Sequence, residues 1–280
     1  MRVAITGAAG LFGHALVKVF GAGHTVFPLT RADADITRAD AVAAAFRKLA
    51  TEVVIHPAGM RDPDACEADP AKAFLVNYHG TRNVVEGARA VGAHVVYIST
   101  DSVFDGKKQT PYTESDPAIP PTVYGRTKLR GEQVVRAIPE SWVFRVSVLF
   151  GPGANNFIDN GIRRIAAGGE YIVASDQLGS ATHTVDAASK IREVVEAQRY
   201  GLYHLSNSGA CNRMELARCA AELAGLDPRK IVGKPSAEMG RPAVRLKYAV
   251  MAMDALAREG FTPPRPWQEA LAEYVGSLPR

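Results

Sequence analysis

The chain has 280 residues, of which 47% are hydrophobic and 22% are charged; 33 Lys and Arg against 29 Asp and Glu give a net charge of +4. This composition excludes an intrinsically disordered chain, which would be poor in apolar residues and strongly charged. The positive charge is dispersed, without a Lys/Arg block or a basic–aromatic stripe, so we expect no nucleic-acid partner. The length suits one large domain or two modest ones.

Cysteine spacing and hydropathy indicate the compartment. Cys66, Cys211 and Cys219 lie far apart and form no metal-ligand motif, so we expect reduced thiols, a cytoplasmic location and no metal site. No apolar run reaches the ~18 residues that a membrane helix needs, and we expect no membrane partner. The apolar start is broken by glycines, His14 and Lys18, which favours a buried strand over a secretion signal.

Strands and helices alternate through the first half of the chain. Such alternation is typical of βαβ units and predicts an α/β fold with a doubly wound parallel sheet. Continuously apolar strands agree, because both faces of a parallel sheet are covered. The pattern predicts strands at 2–5, 24–29, 53–55, 94–98 and 142–146, and helices at about 10–20, 38–50, 70–91 and 121–137.

The rhythm loosens after about residue 150. Gly151-Pro152-Gly153 and Gly168-Gly169 punctuate short elements in this half. The sequence predicts a strand at 202–205 and helices at about 215–223 and 267–276, the last preceded by proline-rich turns. We expect a smaller lobe woven into the edge of the sheet.

A glycine-rich loop, Thr6–Gly13, joins the first predicted strand to the first helix. Its glycines allow a tight turn, close approach to a pyrophosphate and close helix–strand packing, and the helix N-terminus offers N–H groups to phosphates. The loop therefore predicts a dinucleotide site in a Rossmann fold. We expect a NAD(P)-binding Rossmann domain over residues 1–150, with a return at about 183–220, and a substrate-binding lobe from residues 151–182 and 221–280.

The end of the second strand indicates which cofactor is preferred. A carboxylate there would bind the ribose 2′-hydroxyl of NAD, whereas an arginine would accept the 2′-phosphate of NADP. Arg31 occupies this point, and no carboxylate sits at the strand end itself. We expect NADP(H) to be preferred, with NAD(H) left open; a surface arginine without this role is the alternative.

Tyr124 and Lys128 lie four residues apart, so a helix places them on one face. A carbonyl that receives hydride needs a proton donor, and a nearby ammonium would lower the high pKa of tyrosine. Thr100, at the end of the fourth strand, could orient the carbonyl oxygen. An exposed face that carries Tyr and Lys by chance is the alternative, which the glycine loop disfavours.

These motifs carry a resemblance to a known family. The glycine loop, Ser99–Gly106 and Tyr124–Lys128 resemble extended short-chain dehydrogenases/reductases, and more narrowly the branch of dTDP-4-dehydrorhamnose reductase. The similarity covers nearly the whole chain. Other matching segments are Asp35-Ile36-Thr37, Val76-Asn77, Gly131-Glu132, Asn155-Asn156-Phe157, Asp176–Ser180, Tyr203-His204 and Arg241-Pro242.

The resemblance implies an NAD(P)H-dependent reductase of a keto group on a nucleotide-activated deoxysugar, with Tyr124 as proton donor. It assigns catalysis to Thr100, Tyr124 and Lys128. It places cofactor contacts at Gly7, Gly10, Leu11, Phe12, Gly13, Arg31, Asp35, Ile36, His56, Pro57, Ala58, Asn77, Tyr124 and Lys128. It places substrate contacts at Asp101, Ser102, Asn156, Gln177 and Thr182.

Several positions depart from that branch and leave alternatives open. Ser102 and Val148 replace a tyrosine and a tryptophan, His56-Pro57 replaces Asn-Ala, and Ala181 replaces a proline. Several departures, including His56 and Arg61-Asp62-Pro63, resemble the regulatory β subunit of methionine adenosyltransferase, an NADP-binding protein that acts through a partner. A nucleotide-sugar epimerase is a third reading, disfavoured by Arg31. We expect a small nucleotide-sugar ligand, and leave open whether the chain forms a homodimer.

Three further features have plainer explanations. His183 and Asp186 could form a proton relay, but a packing or capping role is favoured. Cys211 lies at a predicted helix start, where a thiol can be acidified, yet no catalytic partner is visible. The acidic residues after the third strand lack metal geometry, and we interpret them as a solvated loop: Asp62, Asp64, Glu67 and Asp69.

Overall fold

Six parallel strands form the central sheet of the computed structural model, which describes residues 1–279. All neighbouring pairs in this sheet are parallel, which confirms the predicted fold class. The strands are β1 (Arg2–Thr6), β2 (Thr25–Leu29), β3 (Val53–His56), β4 (His94–Thr100), β5 (Ser141–Val146) and β10 (Gly201–Leu205), in the spatial order β10-β5-β4-β3-β1-β2.

Helices cover both faces of the sheet, because each strand sends alternate apolar side chains to opposite sides. Val3 and Ile5 pack with the helices on one face, and Ala4 packs on the other. The first face carries α1 (Leu11–Gly21) and α8 (Thr184–Glu196). The second carries α2 (Ala39–Leu49), α5 (Gly80–Arg89) and α6 (Val123–Arg136).

The helix predicted over 70–91 is one helical segment with an irregular centre. It consists of α4 (Pro70–Phe74), a π-helical turn over Leu75–His79, and α5. A short helix that the sequence pattern did not reveal, α3 (Pro63–Ala68), precedes it. Asp62 and Asp69 cap these two short helices, since each carboxylate accepts a backbone N–H at the helix start. Half of the predicted acidic cluster therefore has a capping role.

The remaining elements form a smaller lobe beside the carboxyl ends of the strands. Its helices α7 (Phe157–Ala166), α9 (Arg213–Leu223) and α11 (Trp267–Gly276) share apolar cores. Its strands are short: β6 (Val148–Phe150) pairs with β9 (Ala181–His183), β7 (Tyr171–Ala174) with β12 (Ile231–Lys234), and β8 (Leu178–Gly179) with both β11 (Cys211–Asn212) and β13 (Tyr248–Ala249).

The chain crosses between the two parts more often than the sequence indicates. The predicted division assigns all of 221–280 to the lobe, but Ala255 and Leu256 of α10 (Asp254–Arg258) pack in the core around the central sheet. The same core contains α8 and β10, which follow the first lobe elements. The sheet and the lobe are therefore interleaved in sequence.

The strand order determines where a ligand can bind. From β1 the chain continues to β2 on one side of the sheet and later to β3 on the other. Loops diverge at such a switch point and leave a crevice beyond the carboxyl ends of the strands. Within residues 1–279, no helix has both the length and the apolar character needed to span a membrane.

Candidate active site

The glycine loop lies in this crevice, and its geometry requires glycine. Gly7 has φ +59°, and a Cβ there would lie 2.8 Å from the Cα of Ala58 on the loop after β3. A Cβ on Gly13 would lie 2.3 Å from the carbonyl oxygen of Gly7. Gly10 precedes α1 without any side-chain cap, so the first N–H groups of the helix remain available to an anion.

A cleft of about 610 Å³ extends from this loop to the catalytic residues predicted on α6. Its size lies within the usual range for cofactor sites. Twelve of the fourteen predicted cofactor residues line it, namely Gly7, Gly10, Leu11, Phe12, Gly13, Arg31, Asp35, Ile36, Pro57, Ala58, Tyr124 and Lys128. The glycine loop at one end of the cleft and the side chains of Tyr124 and Lys128 at the other fit a nicotinamide dinucleotide.

Arg31 lies at the edge of the cleft with its side chain 83% exposed. Its Nε lies 3.0 Å from Oδ2 of Asp35, while Oδ1 of Asp35 accepts hydrogen bonds from the backbone and hydroxyl of Thr37. These bonds hold the pKa of Asp35 below its usual value, with the Thr37 bonds contributing most. A carboxylate thus lies beside Arg31, which the sequence analysis did not anticipate, but the ion pair uses only Nε.

His56, predicted to contact the cofactor, does not line the cleft and has no exposed surface. Its Nδ1 is 2.7 Å from the Thr6 hydroxyl and its Nε2 is 3.1 Å from the Thr81 hydroxyl. Burial lowers the pKa of His56 to about 3, so the ring is neutral. Since the Thr81 hydroxyl donates to the carbonyl of Asn77, it accepts from Nε2–H, and Nδ1 accepts from Thr6.

Asn77, also predicted to contact the cofactor, does not line the cleft, and its side chain is buried. Its Oδ1 accepts a 2.7 Å hydrogen bond from the Met60 N–H, and its Nδ2 donates to the Met60 carbonyl and to the Thr127 hydroxyl. All its polar atoms are used within the protein. Asn77 therefore supports from behind the segment Gly59–Arg61, which does line the cleft.

The sequence analysis missed cleft residues around this segment. Met60 and Arg61 follow β3, and Lys72 and Val76 extend from α4 into the π-helical turn. The position of Met60 and Arg61 directly after a predicted strand could have revealed them, because ligands bind beyond strand ends. The spacing of Lys72 and Val76, one helical turn apart, was the only other signal.

The structure brings the three predicted catalytic residues to one place. Thr100 ends β4, and Tyr124 and Lys128 lie on the first turns of α6. The Thr122 hydroxyl caps α6 by accepting a 3.0 Å hydrogen bond from the Gly125 N–H. A Cβ on Gly125 would lie 2.1 Å from the carbonyl oxygen of Ser102, so glycine allows α6 to approach the turn that follows Thr100.

Burial controls the charge states of the pair on α6. It raises the pKa of Tyr124, while the neighbouring Thr100 hydroxyl opposes this shift. Burial lowers the pKa of Lys128 to about 7, and the carboxylate of Glu132 opposes it. The expected lowering of the tyrosine pKa by Lys128 is therefore corrected: Lys128 Nζ donates to the Ile98 carbonyl at 2.6 Å. Tyr124 remains a phenol at neutral pH, which suits a proton donor.

A second cavity of about 330 Å³ lies next to Thr100 and is lined by Asp101, Ser102 and Gln177. The two other residues predicted to bind substrate, Asn156 and Thr182, do not line this cavity. Asn156 caps α7, and its Nδ2 donates to the Tyr274 hydroxyl at 2.8 Å. Thr182 is fully buried in β9, where its hydroxyl lies 3.4 Å from the Ser147 N–H.

Three arginines give the second cavity a positive potential: Arg213, Arg241 and Arg245. Arg213 contacts an amide and a ring rather than a carboxylate: its Nε is 3.3 Å from Gln177 Oε1, and its guanidinium lies 5.4 Å from the ring centre of Phe157. Arg245 pairs with Asp64 at 2.7 Å. The sequence analysis missed Arg213 and Arg245, because arginines so far apart in sequence give no local signal.

Asp101 is the carboxyl group on the floor of this cavity. Burial raises its pKa, although the hydroxyls of Ser147, Thr100 and Ser102 donate to it and oppose the shift. The three arginines outnumber the two carboxyl groups that line the cavity, Asp62 and Asp101, so the cavity suits an anion such as a diphosphate.

The remaining sequence candidates lie elsewhere or serve other roles. His183 Nδ1 is 3.2 Å from Asp186, whose carboxylate also pairs with Arg265 at 2.9 Å, and neither His183 nor Asp186 lines the two cavities. Burial raises the pKa of Cys211 to about 12, so its thiol is not acidified. In the described part of the chain, no three His, Cys, Asp or Glu side chains gather as a metal site would require.

The chain is similar to named reductases over its whole length. It is 38% identical to the dTDP-4-dehydrorhamnose reductase of Mycolicibacterium smegmatis, covering 99% of this chain and 86% of that protein. It is 37% identical to a probable dTDP-4,6-dihydroxy-2-methyloxan-3-one 4-ketoreductase of Streptomyces antibioticus, covering 98% and 94%. The crystal structure of Bacillus anthracis dTDP-4-dehydrorhamnose reductase in complex with NADP superposes with a TM-score of 0.95 at 32% identity, covering 99% of each chain.

A family model spans the same length. The model for the RmlD substrate binding domain matches residues 1–279, which include the glycine loop, the residues on α6 and the arginine-lined cavity. This match and the named relatives confirm the resemblance found in the sequence. The chain therefore belongs to the RmlD substrate-binding domain family.

Proposed function

We propose that this protein is an NADPH-dependent reductase that converts the keto group of a dTDP-activated deoxysugar, such as dTDP-4-dehydrorhamnose, to an alcohol. One observation carries the proposal: the dinucleotide cleft and the arginine-lined cavity lie on either side of Thr100, since Ser99 lines the cleft and Asp101 lines the cavity. Val146 lines the cleft, and the adjoining Ser147 lines the cavity. A cofactor in one space and a sugar nucleotide in the other would bring their reactive ends together beside a phenol.

Residues of this chain would bind NADPH along the cleft. The free N–H groups at the start of α1 would bind the pyrophosphate, and the unpaired nitrogens of Arg31 would bind the 2′-phosphate. Lys128 would reach the nicotinamide ribose from the floor of the cleft. When bound there, NADPH supplies the hydride for reduction of the carbonyl carbon.

Tyr124 and Thr100 would act on the carbonyl oxygen of the substrate. The phenol of Tyr124, kept protonated by burial, donates its proton as negative charge develops on that oxygen. The Thr100 hydroxyl binds the same oxygen and orients it. Lys128, held by the Ile98 carbonyl, would position the nicotinamide ribose beside this phenol.

The second cavity would hold the nucleotide part of the substrate. Arg213 and Arg245 provide donors for the diphosphate, and Phe157 and Tyr171, with ring centres 5.5 Å apart, provide an apolar wall. Three of the departures from the reductase branch differ in their position. His56 lies behind the cleft and does not line it. Ser102 and Val148 line the second cavity, where they are smaller than the aromatic residues they replace.

A regulatory NADP-binding subunit is the second candidate, favoured by Ser102 and Val148 in place of aromatic residues. The assembled catalytic set of Thr100, Tyr124 and Lys128 favours the reductase, since binding alone would not require a buried proton donor. An epimerase is disfavoured by the exposed guanidinium of Arg31 at the edge of the cleft. We propose a cytoplasmic location, which the three widely spaced cysteines of the sequence favour.

NADPH oxidation measured against dTDP-, UDP- and GDP-linked 4-keto sugars tests the proposal. We expect turnover with a dTDP-linked 4-keto-6-deoxysugar and much slower oxidation with the others. Absence of turnover with every sugar, together with tight NADPH binding and tight association with another enzyme, would instead support the regulatory subunit.

A further inference from the structure

Glu132 lies on α6 one turn after Lys128 and two turns after Tyr124, and it has no exposed surface. Its carboxylate forms a two-pronged ion pair with Arg145 of β5, through Nε at 2.9 Å and Nη2 at 2.7 Å. The same carboxylate accepts a hydrogen bond from the Ser99 hydroxyl of β4. Glu132 therefore joins three elements under the floor of the cofactor cleft.

Stability alone does not explain this arrangement. Two charges removed from water carry a desolvation cost that their attraction offsets only with very good geometry, and apolar pairs of similar volume often stabilise a fold at least as well. The third contact of Glu132 points to a role in the site. Ser99 lines the cofactor cleft and directly precedes Thr100.

Arg145 is held so that the carboxylate of Glu132 has one defined position. Its guanidinium lies 5.1 Å from the ring centre of Phe104, and Nη1 lies 3.5 Å from Nε2 of His204. Burial lowers the pKa of His204 to about 3, so this ring is neutral and does not repel the arginine. The ion pair is thus braced on the side away from α6.

The surroundings of Lys128 single out Glu132 electrostatically. On α6, Glu132 and Tyr124 each lie one helical turn from Lys128. On β4, the centre of the Tyr97 ring lies 4.0 Å from Lys128 Nζ, and on β3 the neighbouring group is the neutral ring of His56. Arg145 on β5 approaches through its pair with Glu132. Among these groups of the described chain, Glu132 is the anion, and its charge favours the ammonium form of Lys128.

We propose that Glu132 is a positioning residue for the reduction: through Ser99 it fixes the strand end that carries Thr100, and along α6 it keeps Lys128 charged. The proposal rests on the proposed reductase function. The role has a geometric part, the hydrogen bond of Glu132 to Ser99, and an electrostatic part, the effect of the Glu132 charge on Lys128. A separate variant tests each part.

Ser99→Ala tests the geometric part, because it removes the contact with Glu132 and retains the buried ion pair. We expect kcat to fall about tenfold, as small misplacements of reacting groups cost rate, while the Kd of NADPH stays within about twofold. Wild-type kcat in Ser99→Ala would overturn this part. Ser99→Thr, which restores a hydroxyl, should recover most of the rate; failure of this rescue at an unchanged melting temperature would also count against it.

The paired change Glu132→Gln with Arg145→Met tests the electrostatic part without leaving a lone buried charge. The ammonium of Lys128 should then be lost at lower pH, so the alkaline fall of kcat should move down by about one pH unit. Asp186→Asn, which breaks an ion pair outside both cavities, is the control for general loss of stability. An unchanged pH profile in the paired variant, or the same shift in Asp186→Asn, would overturn this part.

NADPH binding followed by fluorescence across the same pH range gives a readout that does not depend on turnover. The paired variant should lose affinity at lower pH than wild type does, and Asp186→Asn should not. If wild type reduces no keto sugar, the proposed function fails, but this shift still supports the role of Glu132 and its absence rejects it. If the paired variant does not fold, Ser99→Ala decides the proposal.

Discussion

The ammonium of Lys128 lies 2.6 Å from the carbonyl oxygen of Ile98, a hydrogen bond that joins the catalytic helix α6 to the central strand β4. This bond keeps the lysine in the floor of the cofactor cleft, directly above the ring of Tyr97. Lys128 therefore lies where, in the proposed function, it would bind the cofactor ribose, one helical turn after Tyr124.

The first prediction concerns this lysine. Lys128→Met should lower kcat by about 100-fold or more, because the nicotinamide ribose loses the group that would position it for hydride transfer. It should also weaken NADPH binding. In wild type, burial lowers the pKa of Lys128 to about 7, so its ammonium is present below that pH and is lost as pH rises through it. NADPH affinity in wild type should fall over the same range, and in Lys128→Met it should be independent of pH there.

The second prediction concerns cofactor choice. Arg31→Ala should weaken NADPH binding by roughly 10- to 100-fold, since a charge-assisted contact with the 2′-phosphate is lost, while NADH binding changes little. Fluorescence titration with both cofactors measures this difference. Arg38→Ala is a matched control, because Arg38 is also exposed and paired with a nearby aspartate at 2.7 Å. Equal losses for NADPH and NADH would contradict the assignment of Arg31.

The third prediction concerns the second cavity. Arg213→Gln should raise the KM for the sugar nucleotide about tenfold or more and leave the Kd of NADPH unchanged, because Arg213 lines only the second cavity. Steady-state kinetics with the nucleotide sugar and a separate NADPH titration give the two numbers. Arg229→Ala, an exposed arginine paired with Asp227, should alter neither. Weaker NADPH binding in Arg213→Gln would show that the two cavities are assigned wrongly.

The fourth prediction concerns the support behind the cofactor cleft. Asn77→Ala should lower the free energy of unfolding by about 1–3 kcal/mol, because it leaves the Met60 N–H without its buried acceptor and removes a donor from the Met60 carbonyl and the Thr127 hydroxyl. It should also weaken NADPH binding, since the segment Gly59–Arg61 loses its anchor. Chemical denaturation and fluorescence titration measure the two effects.

Asn207→Ala is the matched control for this variant. Asn207 is 1% exposed, as Asn77 is, and its side chain likewise accepts one hydrogen bond and donates two, but near Asp186 and outside both cavities. It should cost similar stability and leave NADPH binding unchanged. Equal cofactor affinity in the two variants would contradict the anchoring role of Asn77.

Local patterns in the sequence predict the scaffold and the centre of the site. The glycine loop, the alternating strands and helices, and the Tyr124–Lys128 spacing depend on neighbours a few residues apart, so their placement follows from regular backbone geometry. The direction of a buried side chain does not. His56 is buried because its ring nitrogens form hydrogen bonds with the hydroxyls of Thr6 and Thr81. Asn77 lies on the π-helical turn, where its side chain forms hydrogen bonds with the backbone of Met60.

The substrate side was less accessible to prediction for a different reason. Arg213 starts α9, and Arg245 lies in the chain between two short strands of the lobe. They meet at one cavity only after the lobe has folded over the ends of the sheet. No spacing rule links such distant positions, whereas Asp101, Ser102 and Gln177 were found through motifs that the family resemblance supplied.

The most direct test of the proposed function is NADPH oxidation with dTDP-4-dehydrorhamnose by wild type and by Tyr124→Phe. We expect turnover by wild type, a fall in kcat of about 100-fold or more in Tyr124→Phe, and an NADPH Kd within about twofold in both, because the ring remains and only the hydroxyl group that donates the proton is lost. Equal kcat in the two proteins would contradict the assignment of Tyr124 as the proton donor.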